Sequence, residues 1–288
     1  MLQHSLGCVV CSAPTAQLFM KYNYPIDKCT RCGHAAVDGL RAEEHANTTY
    51  GDEYFFGGGA GYPNYLSQGD LVRDHGRAYA SVLARHGAPG SCLDVGCAAG
   101  FVLQGLADAG WTGVGLDPNP RMVQHARDVL KLNAVVGTLE SYESSEQFDL
   151  VSLIQVVGHF WNLRQAIGAG ASHVKPGGLC LIEYWNRDSL PARLLGEHWH
   201  EYSPPSVLHW FGPSDLDLLM AQFGLVRVDA GKPKKYISGE HLKSLLAYKS
   251  RGVVGGSILA AMTKLVPGGL KVPYPAWDVA WSLYRKAS

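Results

Sequence analysis

The chain has 288 residues, of which 47% are hydrophobic and 17% charged, so it can form one large domain, or a main domain with a small appendage, and global disorder is disfavoured. Lys plus Arg equal Asp plus Glu at 25 each, so the basic excess typical of proteins that bind nucleic acid is lacking, and nucleic acid is disfavoured as a partner. No apolar stretch reaches the roughly 18–20 residues that cross a bilayer, and residues 1–10 lack the pattern of a signal peptide, so we expect a cytoplasmic protein without a transmembrane segment.

Four of the seven cysteines lie in the first 45 residues, as two Cys-x-x-Cys pairs separated by 17 residues. Four thiolates at this spacing are typical of a tetrahedral zinc site, and so short a segment cannot build a core of its own without such a support. Two disulfides or a redox pair are the alternatives, and a cytosolic location disfavours the disulfides. We therefore predict a small zinc ribbon over residues 1–45, with structural Zn2+ bound by Cys8, Cys11, Cys29 and Cys32.

Residues 46–66 are rich in Gly, Tyr and Asn, which is the composition of a linker or a lid whose aromatic side chains could close over a ligand. A helix is predicted from about residue 67 to residue 85, because its apolar residues repeat at a helical period. We therefore assign residues 46–88 to an aromatic lid or linker followed by a helix.

From residue 89 to residue 235 the chain alternates between short apolar runs and amphipathic segments at least five times. The run at residues 148–154 is almost continuously apolar, as expected of a central parallel strand that is covered on both faces. This alternation predicts an α/β fold with a Rossmann-like, doubly wound, mostly parallel sheet and helices on both faces. In such a sheet the ligand lies beyond the carboxyl ends of the strands.

A turn with two glycines, in the segment LDVGCAAG, follows the first predicted strand of this core. Its Gly-x-Ala-x-Gly pattern differs from the Gly-x-Gly-x-x-Gly pattern that binds a dinucleotide. Asp94, just before the turn, would repel a pyrophosphate but suits a ligand that carries an ammonium and a sulfonium. Asp117 ends the second strand, where a carboxylate can accept hydrogen bonds from both hydroxyls of a ribose.

The segments LDVGCAAG, GVGLDPNP, VVGTLESY, FDLVSLIQVV and VKPGGLCLIEYW together resemble class I S-adenosylmethionine (SAM)-dependent methyltransferases, in the order and spacing of that family. The resemblance covers about residues 90–185, and more loosely residues 50–230. It implies that the glycine turn holds the methionine part of SAM, that Asp117 binds the ribose and that Thr138 and Leu139 flank the adenine. The cofactor-binding residues that it implies are Asp94, Gly96, Cys97, Ala98, Gly100, Asp117, Pro118, Thr138, Leu139 and Gln155.

Two positions depart from the family pattern. Ala98 replaces the middle glycine of the turn, and Thr138 stands where an aspartate often contacts the adenine amino group. A Rossmann-like domain that has lost its ligand, or one that binds NAD, remains as a weaker alternative.

The segment at residues 197–212 contains three histidines, two tryptophans and a Pro-Pro pair, and it is predicted to be an insertion that forms the acceptor pocket. Alternatively, its aromatic side chains simply pack on the sheet and its histidines satisfy hydrogen bonds. A second metal bound by His198 and His200 is a further alternative.

His159 follows the fourth predicted strand, near the point to which the transferred methyl group should be directed. As a neutral imidazole it could take a proton from the acceptor, so we predict that it is the catalytic base, assisted by Glu183, Tyr184 or His200. An equally good interpretation is that His159 only anchors the loop.

These observations favour a SAM-dependent methyltransferase that acts on a small-molecule acceptor, such as a sugar or a natural-product intermediate. An N-terminal zinc module on this fold resembles some bacterial methyltransferases of surface-sugar and natural-product pathways, and also certain ribosomal-RNA guanine methyltransferases. The balanced charges of the ribbon favour the former. An RNA methyltransferase guided by the ribbon, or a non-catalytic scaffold, remains as an alternative.

Residues 236–288 are predicted to form a C-terminal helical extension and a possible strand, over residues 278–285, at the edge of the sheet. The apolar stretch at residues 253–270 could cover the pocket, or contact a lipid or a second subunit.

Overall fold

The computed structural model describes residues 7–37, 49–57, 64–239, 267, 270–274 and 276–288. In chain order, the elements are β1 Thr15–Lys21, β2 Tyr24–Cys29, β3 Ala35–Val37, α1 Asp52–Phe56, α2 Gly69–Leu83, β4 Ser91–Val95, α3 Phe101–Ala107, β5 Thr112–Asp117, α4 Pro120–Asp128, β6 Asn133–Val136, β7 Phe148–Ile154, α5 Leu163–His173, β8 Val174–Trp185, α6 Leu190–Leu195, β9 His209–Trp210, α7 Pro213–Ala221, β10 Leu225–Gly231, β11 Lys235–Ser238, β12 Lys271–Tyr274 and β13 Val279–Lys286.

Seven strands form the central sheet in the order β10-β13-β8-β7-β4-β5-β6. Strands β4 to β8 are parallel, and β13 runs antiparallel to both of its neighbours. The central strands β4 and β7 are buried along nearly their whole length, which explains their continuous apolar sequences. This architecture confirms the predicted Rossmann-like sheet, and it brings the carboxyl ends of the five parallel strands to one edge.

The local signals that begin the helices are readable in the sequence. Asn119 caps α4 by accepting a hydrogen bond from the Met122 N–H, and Pro120 occupies the first helical position. Asn162 caps α5 in the same way, through the Gln165 N–H. These caps fix where the chain turns from strand to helix, and therefore where the loops at the carboxyl edge begin.

The last strand forms, but its place in the sheet differs from the predicted one. Strand β13 lies between β8 and β10, so β10 is the edge strand. Leu283 and Tyr284 are fully buried there, because both faces of an interior strand are covered by other elements. The predicted helical extension and the apolar stretch lie mostly outside the described residues, and the described positions on either side of them pair as β11 and β12.

A second sheet combines the predicted ribbon with the predicted insertion. Strands β1, β2 and β3 form an antiparallel sheet, and β9 from the insertion adds to its edge through β3. Ile26 and Ala35 of the ribbon pack in one hydrophobic cluster with Trp199, Tyr202 and Trp210 of the insertion. The ribbon therefore shares its core with the insertion rather than standing alone.

Within the described parts of the chain, no helix has the length and apolar character required to cross a bilayer.

Candidate functional site

A partly open cavity lies at the carboxyl edge of the central sheet. Eight residues singled out from the sequence line it: Gly96, Ala98, Asp117, Pro118, Thr138, Leu139, Gln155 and His159. They come from the ends of β4, β5, β6 and β7, so the parallel sheet itself brings these distant positions together.

The turn after β4 has the left-handed backbone conformations that its glycines permit. Gly96 has φ +68°, and a Cβ atom there would lie 2.5 Å from Val156 Cγ2, so no other residue fits without a shift. The N–H groups of Gly96 and Cys97 donate to the Leu116 carbonyl at 2.7 and 3.1 Å, which fastens the turn to β5. At Gly96 the backbone itself therefore forms the cavity wall, because this residue has no side chain.

Ala98 occupies the same turn with φ +47°, although it has a Cβ atom. We expect Ala98→Gly to raise the free energy of unfolding by about 0.5–1 kcal/mol, because relief of left-handed strain exceeds the added entropy of the unfolded chain. Ala99 is the control, because it is buried and is not in the left-handed region, so Ala99→Gly should destabilise. Chemical denaturation measures the free energy of unfolding of both variants. Equal destabilisation by the two substitutions would contradict the presence of backbone strain at Ala98.

Asp117 is a buried carboxylate on the cavity wall, held by two hydrogen bonds. It is 4% exposed, and its carboxylate accepts hydrogen bonds from the N–H groups of Ala98 and Asn119, each at 2.8 Å. Burial raises the pKa of Asp117 to about 6, although these two bonds oppose the rise. Each carboxylate oxygen accepts one of the bonds and retains a second lone-pair direction. The side chain is therefore held in a fixed orientation at the wall and can still accept bonds from a diol.

Three other predicted residues lie close behind the wall but do not line the cavity: Asp94, Cys97 and Gly100. Asp94 belongs to β4, where its Oδ1 accepts a hydrogen bond of 2.7 Å from Ser152 on β7, and burial raises its pKa to about 7. Cys97 is buried at the turn, and Gly100 begins α3 with φ +85°. These three residues belong to β4 or to the turn that follows it, and they support that turn from the side facing away from the cavity.

His159 lines the cavity and follows β7 by five positions. Its Nδ1 is 2.6 Å from the Ser206 carbonyl oxygen and 2.9 Å from the Tyr50 hydroxyl. A carbonyl can only accept, so Nδ1 carries the proton of the neutral ring and Nε2 carries the lone pair. The acceptor nitrogen of the ring is therefore Nε2, and the contacts at Nδ1 tie the ring to the insertion and to the segment at residue 50, as an anchor would.

Gln155 directly follows β7, has φ +59° and donates two hydrogen bonds to Glu183 of β8. Its N–H donates to the Glu183 carbonyl at 2.9 Å, and its Nε2 donates to Glu183 Oε1 at 2.8 Å. The buried carboxylate also contacts His75 Nε2 at 2.6 Å, Lys235 Nζ at 3.1 Å and the Tyr79 hydroxyl. Burial acts to raise the pKa of Glu183, but Lys235, His75 and the Tyr79 hydroxyl hold it well below its usual range. Glu183 is therefore a fixed anion behind Gln155.

The predicted assistants of His159 separate in the structure. Glu183 and Tyr184 line a smaller void that also contacts His159 and Gln155. His200 instead pairs with Glu201 at 3.0 Å, and His198 is exposed. Of the two tryptophans of the insertion, Trp199 donates from Nε1 to Asp278 and Trp210 to the Glu201 carbonyl, so both are packing residues with satisfied polar atoms.

Twelve of the residues that line the cavity were not singled out individually as site residues from the sequence, and six of them have large aromatic or charged side chains that bear on the proposed site. Tyr50, Tyr54, Phe55 and Tyr65 come from the predicted aromatic lid, whose composition was the signal for them. Glu140 and Trp161 follow β6 and β7 by four and seven positions, and no local pattern marks them. Five of these six side chains are aromatic.

The four N-terminal cysteines come together. The Sγ atoms of Cys8 and Cys32 are 3.6 Å apart, those of Cys11 and Cys29 are 3.4 Å apart, and all four lie within 4.8 Å of one another. Tetrahedral zinc with Zn–S bonds of about 2.3 Å requires sulfur atoms roughly 3.8 Å apart, so the donor set fits zinc. Among the described residues, this is the one group placed to hold a metal ion.

Backbone N–H groups add to this arrangement. Those of Arg31 and Cys32 lie 3.4 Å from Cys29 Sγ, and that of Val10 lies 3.4 Å from Cys8 Sγ. Such donors stabilise thiolates, which are the form that binds a metal.

Comparison with known proteins gives a consistent picture. The family model described as a methyltransferase domain matches residues 68–230. The ubiquinone biosynthesis O-methyltransferases of Rickettsia akari (strain Hartford) and Bradyrhizobium sp. (strain ORS 278) are each 32% identical to the chain, over 131 and 129 residues. These alignments cover 44% and 41% of the chain and 50% and 47% of the relatives, so the chain spans about half the length of the curated relatives it matches.

A solved structure supports the same fold over most of the chain. The Burkholderia thailandensis 1,6-didemethyltoxoflavin-N1-methyltransferase, with bound 1,6-didemethyltoxoflavin and S-adenosylhomocysteine, superposes with a TM-score of 0.54. The comparison covers 96% of this chain and 100% of that chain, at 14% identity. At this identity the likeness concerns the fold, and it agrees with the architecture described above.

Proposed function

Because the chain belongs to the methyltransferase-domain family of class I SAM-dependent enzymes, we propose that it transfers a methyl group from SAM to a small-molecule acceptor. The observation that carries the proposal is the buried Asp117 carboxylate, fixed on the cavity wall beside the left-handed turn at Gly96 and Ala98. SAM supplies an electrophilic methyl group on a sulfonium, and the chain supplies the binding site and the orientation.

Each wall of the cavity has a part in this proposal. The turn from Gly96 to Ala98 accommodates the methionine portion, because its backbone passes the cavity without large side chains. Asp117 accepts hydrogen bonds from the ribose hydroxyls. Thr138 and Leu139 flank the adenine, and Gln155 lies under the cofactor at the end of β7.

The lining supports a small, partly aromatic acceptor. Tyr50, Tyr54, Phe55 and Trp161 give the cavity flat apolar walls with a few polar atoms, which suit an aromatic molecule that carries a hydroxyl. The names of the two curated relatives, which refer to O-methylation in ubiquinone biosynthesis, support the same class of acceptor. The balance of 25 basic and 25 acidic residues gives no support to a nucleic-acid substrate.

His159 is the proposed base, with Nε2 taking the proton from the acceptor hydroxyl as the oxygen attacks the methyl group in line with the departing sulfur. We expect His159→Ala to lower kcat about 100-fold or more at saturating cofactor, while the Kd for S-adenosylhomocysteine stays near the wild-type value. The assay is transfer of labelled methyl to a panel of simple phenols and catechols, over a range of about pH 6 to 9.

His198→Ala is the matched control, because His198 is an exposed histidine of the insertion and should leave kcat unchanged. If the His159 variant keeps the wild-type kcat across that pH range, His159 is not the catalytic base, and its role is to anchor the loop.

We also propose that Cys8, Cys11, Cys29 and Cys32 bind one structural zinc ion, on the strength of their mutual distances. Zinc held by four thiolates has no open position for a substrate, so its contribution is to the fold of the ribbon.

The proposed function as a whole is tested by calorimetry with S-adenosylhomocysteine. Binding with a Kd in the micromolar range is expected, and no heat at ligand concentrations up to about 1 mM would indicate a scaffold that has lost its cofactor site.

A further inference from the structure

The loop that carries His159 is hydrogen-bonded to the insertion on both sides of this residue. The Leu208 N–H donates to the Gly158 carbonyl at 2.8 Å. On the other side, His209 Nε2 lies 3.1 Å from the Phe160 carbonyl oxygen. Because Gly158 and Phe160 are the chain neighbours of His159, these two bonds fix the backbone from which the His159 ring projects.

The loop and β9 also approach each other closely. A Cβ atom at Gly158 would lie 3.0 Å from the His209 carbonyl oxygen, which is closer than side chains normally come to a backbone oxygen. Val157 and Phe160 of the same loop are 1% and 5% exposed. Glycine at position 158 therefore permits a close contact, through which β9 can determine where the loop lies.

The partners of the His209 ring determine which of its nitrogens carries the proton. The Phe160 carbonyl can only accept, so His209 Nε2 is the donor. In the neutral ring Nδ1 is then the acceptor, and Nε2 of His34, a ribbon residue, lies 3.2 Å from it. His34 therefore favours the tautomer of His209 that can donate to the loop.

The ribbon also fixes the backbone around His209. The Val37 N–H donates to the Leu208 carbonyl at 2.9 Å, and Ala36 of β3 pairs with His209 of β9. Strand β9 consists of only two residues, so its position depends on this pairing. The ribbon therefore holds both the backbone and the ring of His209.

We propose that His209 is a positioning residue for methyl transfer, which orients His159 through the hydrogen bond to the Phe160 carbonyl. In this proposal His209 touches neither the acceptor nor the cofactor, and it lies outside the set of described residues that line the main cavity. The inference rests on the proposed function, and it links the ribbon to catalysis through one side chain.

The test compares three substitutions of His209. His209→Phe removes both ring nitrogens and should lower kcat about 10- to 100-fold, because a small displacement of a catalytic group can cost that much. His209→Gln supplies an amide donor near the position of Nε2, so it should keep kcat within about 3-fold of wild type. The amide of His209→Asn reaches only the position of Nδ1, so this variant should lose as much as His209→Phe.

The Kd for S-adenosylhomocysteine separates positioning from a general loss of structure. It should stay within about 3-fold of wild type in all three variants, because His209 acts on the base and not on the cofactor. His198→Phe is the matched control, since it makes the same change at an exposed histidine of the insertion and should leave kcat unchanged. Equal losses of kcat in His209→Gln and His209→Phe would overturn the inference.

A double-variant cycle tests whether His209 acts through His159. When His159→Ala is already present, His209→Phe should lower kcat by less than about 2-fold further, because no base remains to be oriented. If the two losses multiply, His209 acts independently of His159 and the inference is overturned.

Nuclear magnetic resonance of the histidine ring nitrogens provides a readout that does not require activity. His159 should show the Nδ1–H tautomer in the wild type and in His209→Gln, and a mixture of tautomers in His209→Phe, because the ring then loses its fixed contact with the Ser206 carbonyl. Unchanged His159 signals in His209→Phe would overturn the inference.

The outcomes distinguish this inference from the proposed function. If the wild type neither binds S-adenosylhomocysteine nor transfers a methyl group, the proposed function is wrong, and the ring signals still show whether His209 orients His159. If S-adenosylhomocysteine binds but His159→Ala keeps the wild-type kcat, the SAM site stands and the positioning of a base by His209 is overturned.

Discussion

Asp117→Asn is expected to weaken S-adenosylhomocysteine binding about 100-fold or more, because the two charge-assisted hydrogen bonds proposed between the ribose and this carboxylate are worth about 1.5–3 kcal/mol each. The amide is nearly the same size, but its NH2 must face either the Ala98 or the Asn119 N–H, both of which are donors at 2.8 Å. The orientation of the side chain is therefore lost together with its charge. Calorimetry gives the Kd, and thermal unfolding verifies that the variant is folded.

The control is an aspartate on the same sheet but at its other edge. Asp149, near the start of β7, pairs with Lys175 Nζ at 2.9 Å and does not line the cavity. Asp149→Asn should leave the Kd within about 2-fold of wild type, since the partners of Asp149, Lys175 and Ser91, do not line the cavity either. An equal loss of affinity in the two variants would mean that Asp117 acts through the fold and not through the ligand.

The same carboxylate predicts how affinity depends on pH. Burial raises the pKa of Asp117 to about 6, so the unliganded protein holds a proton there below that pH. Ribose hydroxyls donate to the ionised form, so affinity should be constant above about pH 6 and fall toward 10-fold per unit below it. In Asp117→Asn this dependence should disappear, and a wild-type Kd that is flat from about pH 4 to 8 would contradict the assignment.

Loss of the proposed zinc ion is expected to have the largest effect on stability. Cys29→Ser should lower Tm by about 10 °C or more, because structural zinc contributes folding free energy directly and the change in a chain of this size is roughly 2–4 °C per kcal/mol. Metal analysis of the wild type should give one zinc per chain. Thermal unfolding with and without a strong chelator should reproduce the effect of the substitution.

The effect should reach beyond the ribbon, because the ribbon and the insertion share one core. Strand β3 pairs with β9, and Trp199 and Trp210 pack against ribbon residues. His209 Nδ1 lies 3.2 Å from His34 Nε2, and its own Nε2 is 3.1 Å from the Phe160 carbonyl, at the cavity. We therefore expect the near-ultraviolet circular dichroism of the two tryptophans to weaken in Cys29→Ser.

Cys180→Ala provides the comparison for this prediction. Cys180 is fully buried in β8, far in sequence from the cluster, and its loss leaves only a small cavity. Its zinc content should stay at one per chain, with a Tm decrease that is clearly smaller than that of Cys29→Ser. Absence of zinc from the wild type, or equal decreases in the two variants, would refute a structural metal.

The sequence by itself determined the periodic features and the positions that follow from them. Alternating strands and helices require a parallel sheet, and in a parallel sheet the residues after successive strands meet at one edge. Gly96, Asp117 and Gln155 could be placed at the cavity for this reason, although they are far apart in the chain. The spacing of the two Cys-x-x-Cys pairs specified the cysteine cluster in the same local way.

Only the tertiary structure decided which elements are partners. The two-residue period of a strand sequence predicts which face is buried, but it does not predict which strand lies beside it. For this reason β13 was predicted at the edge of the sheet, whereas it lies between β8 and β10. The addition of β9 to the ribbon is likewise a pairing across more than 170 residues of chain. The Tyr50 hydroxyl contacts His159, 109 positions away, and the Glu140 carboxylate interacts with the backbone N–H of Trp161. These contacts form because the loops converge on the cavity, and no local sequence pattern predicts them. Local sequence preferences determine which segments become strands and helices. Which strands and helices pack together is determined by burial of their apolar faces, and that gain in free energy depends on the complete fold and not on any single segment.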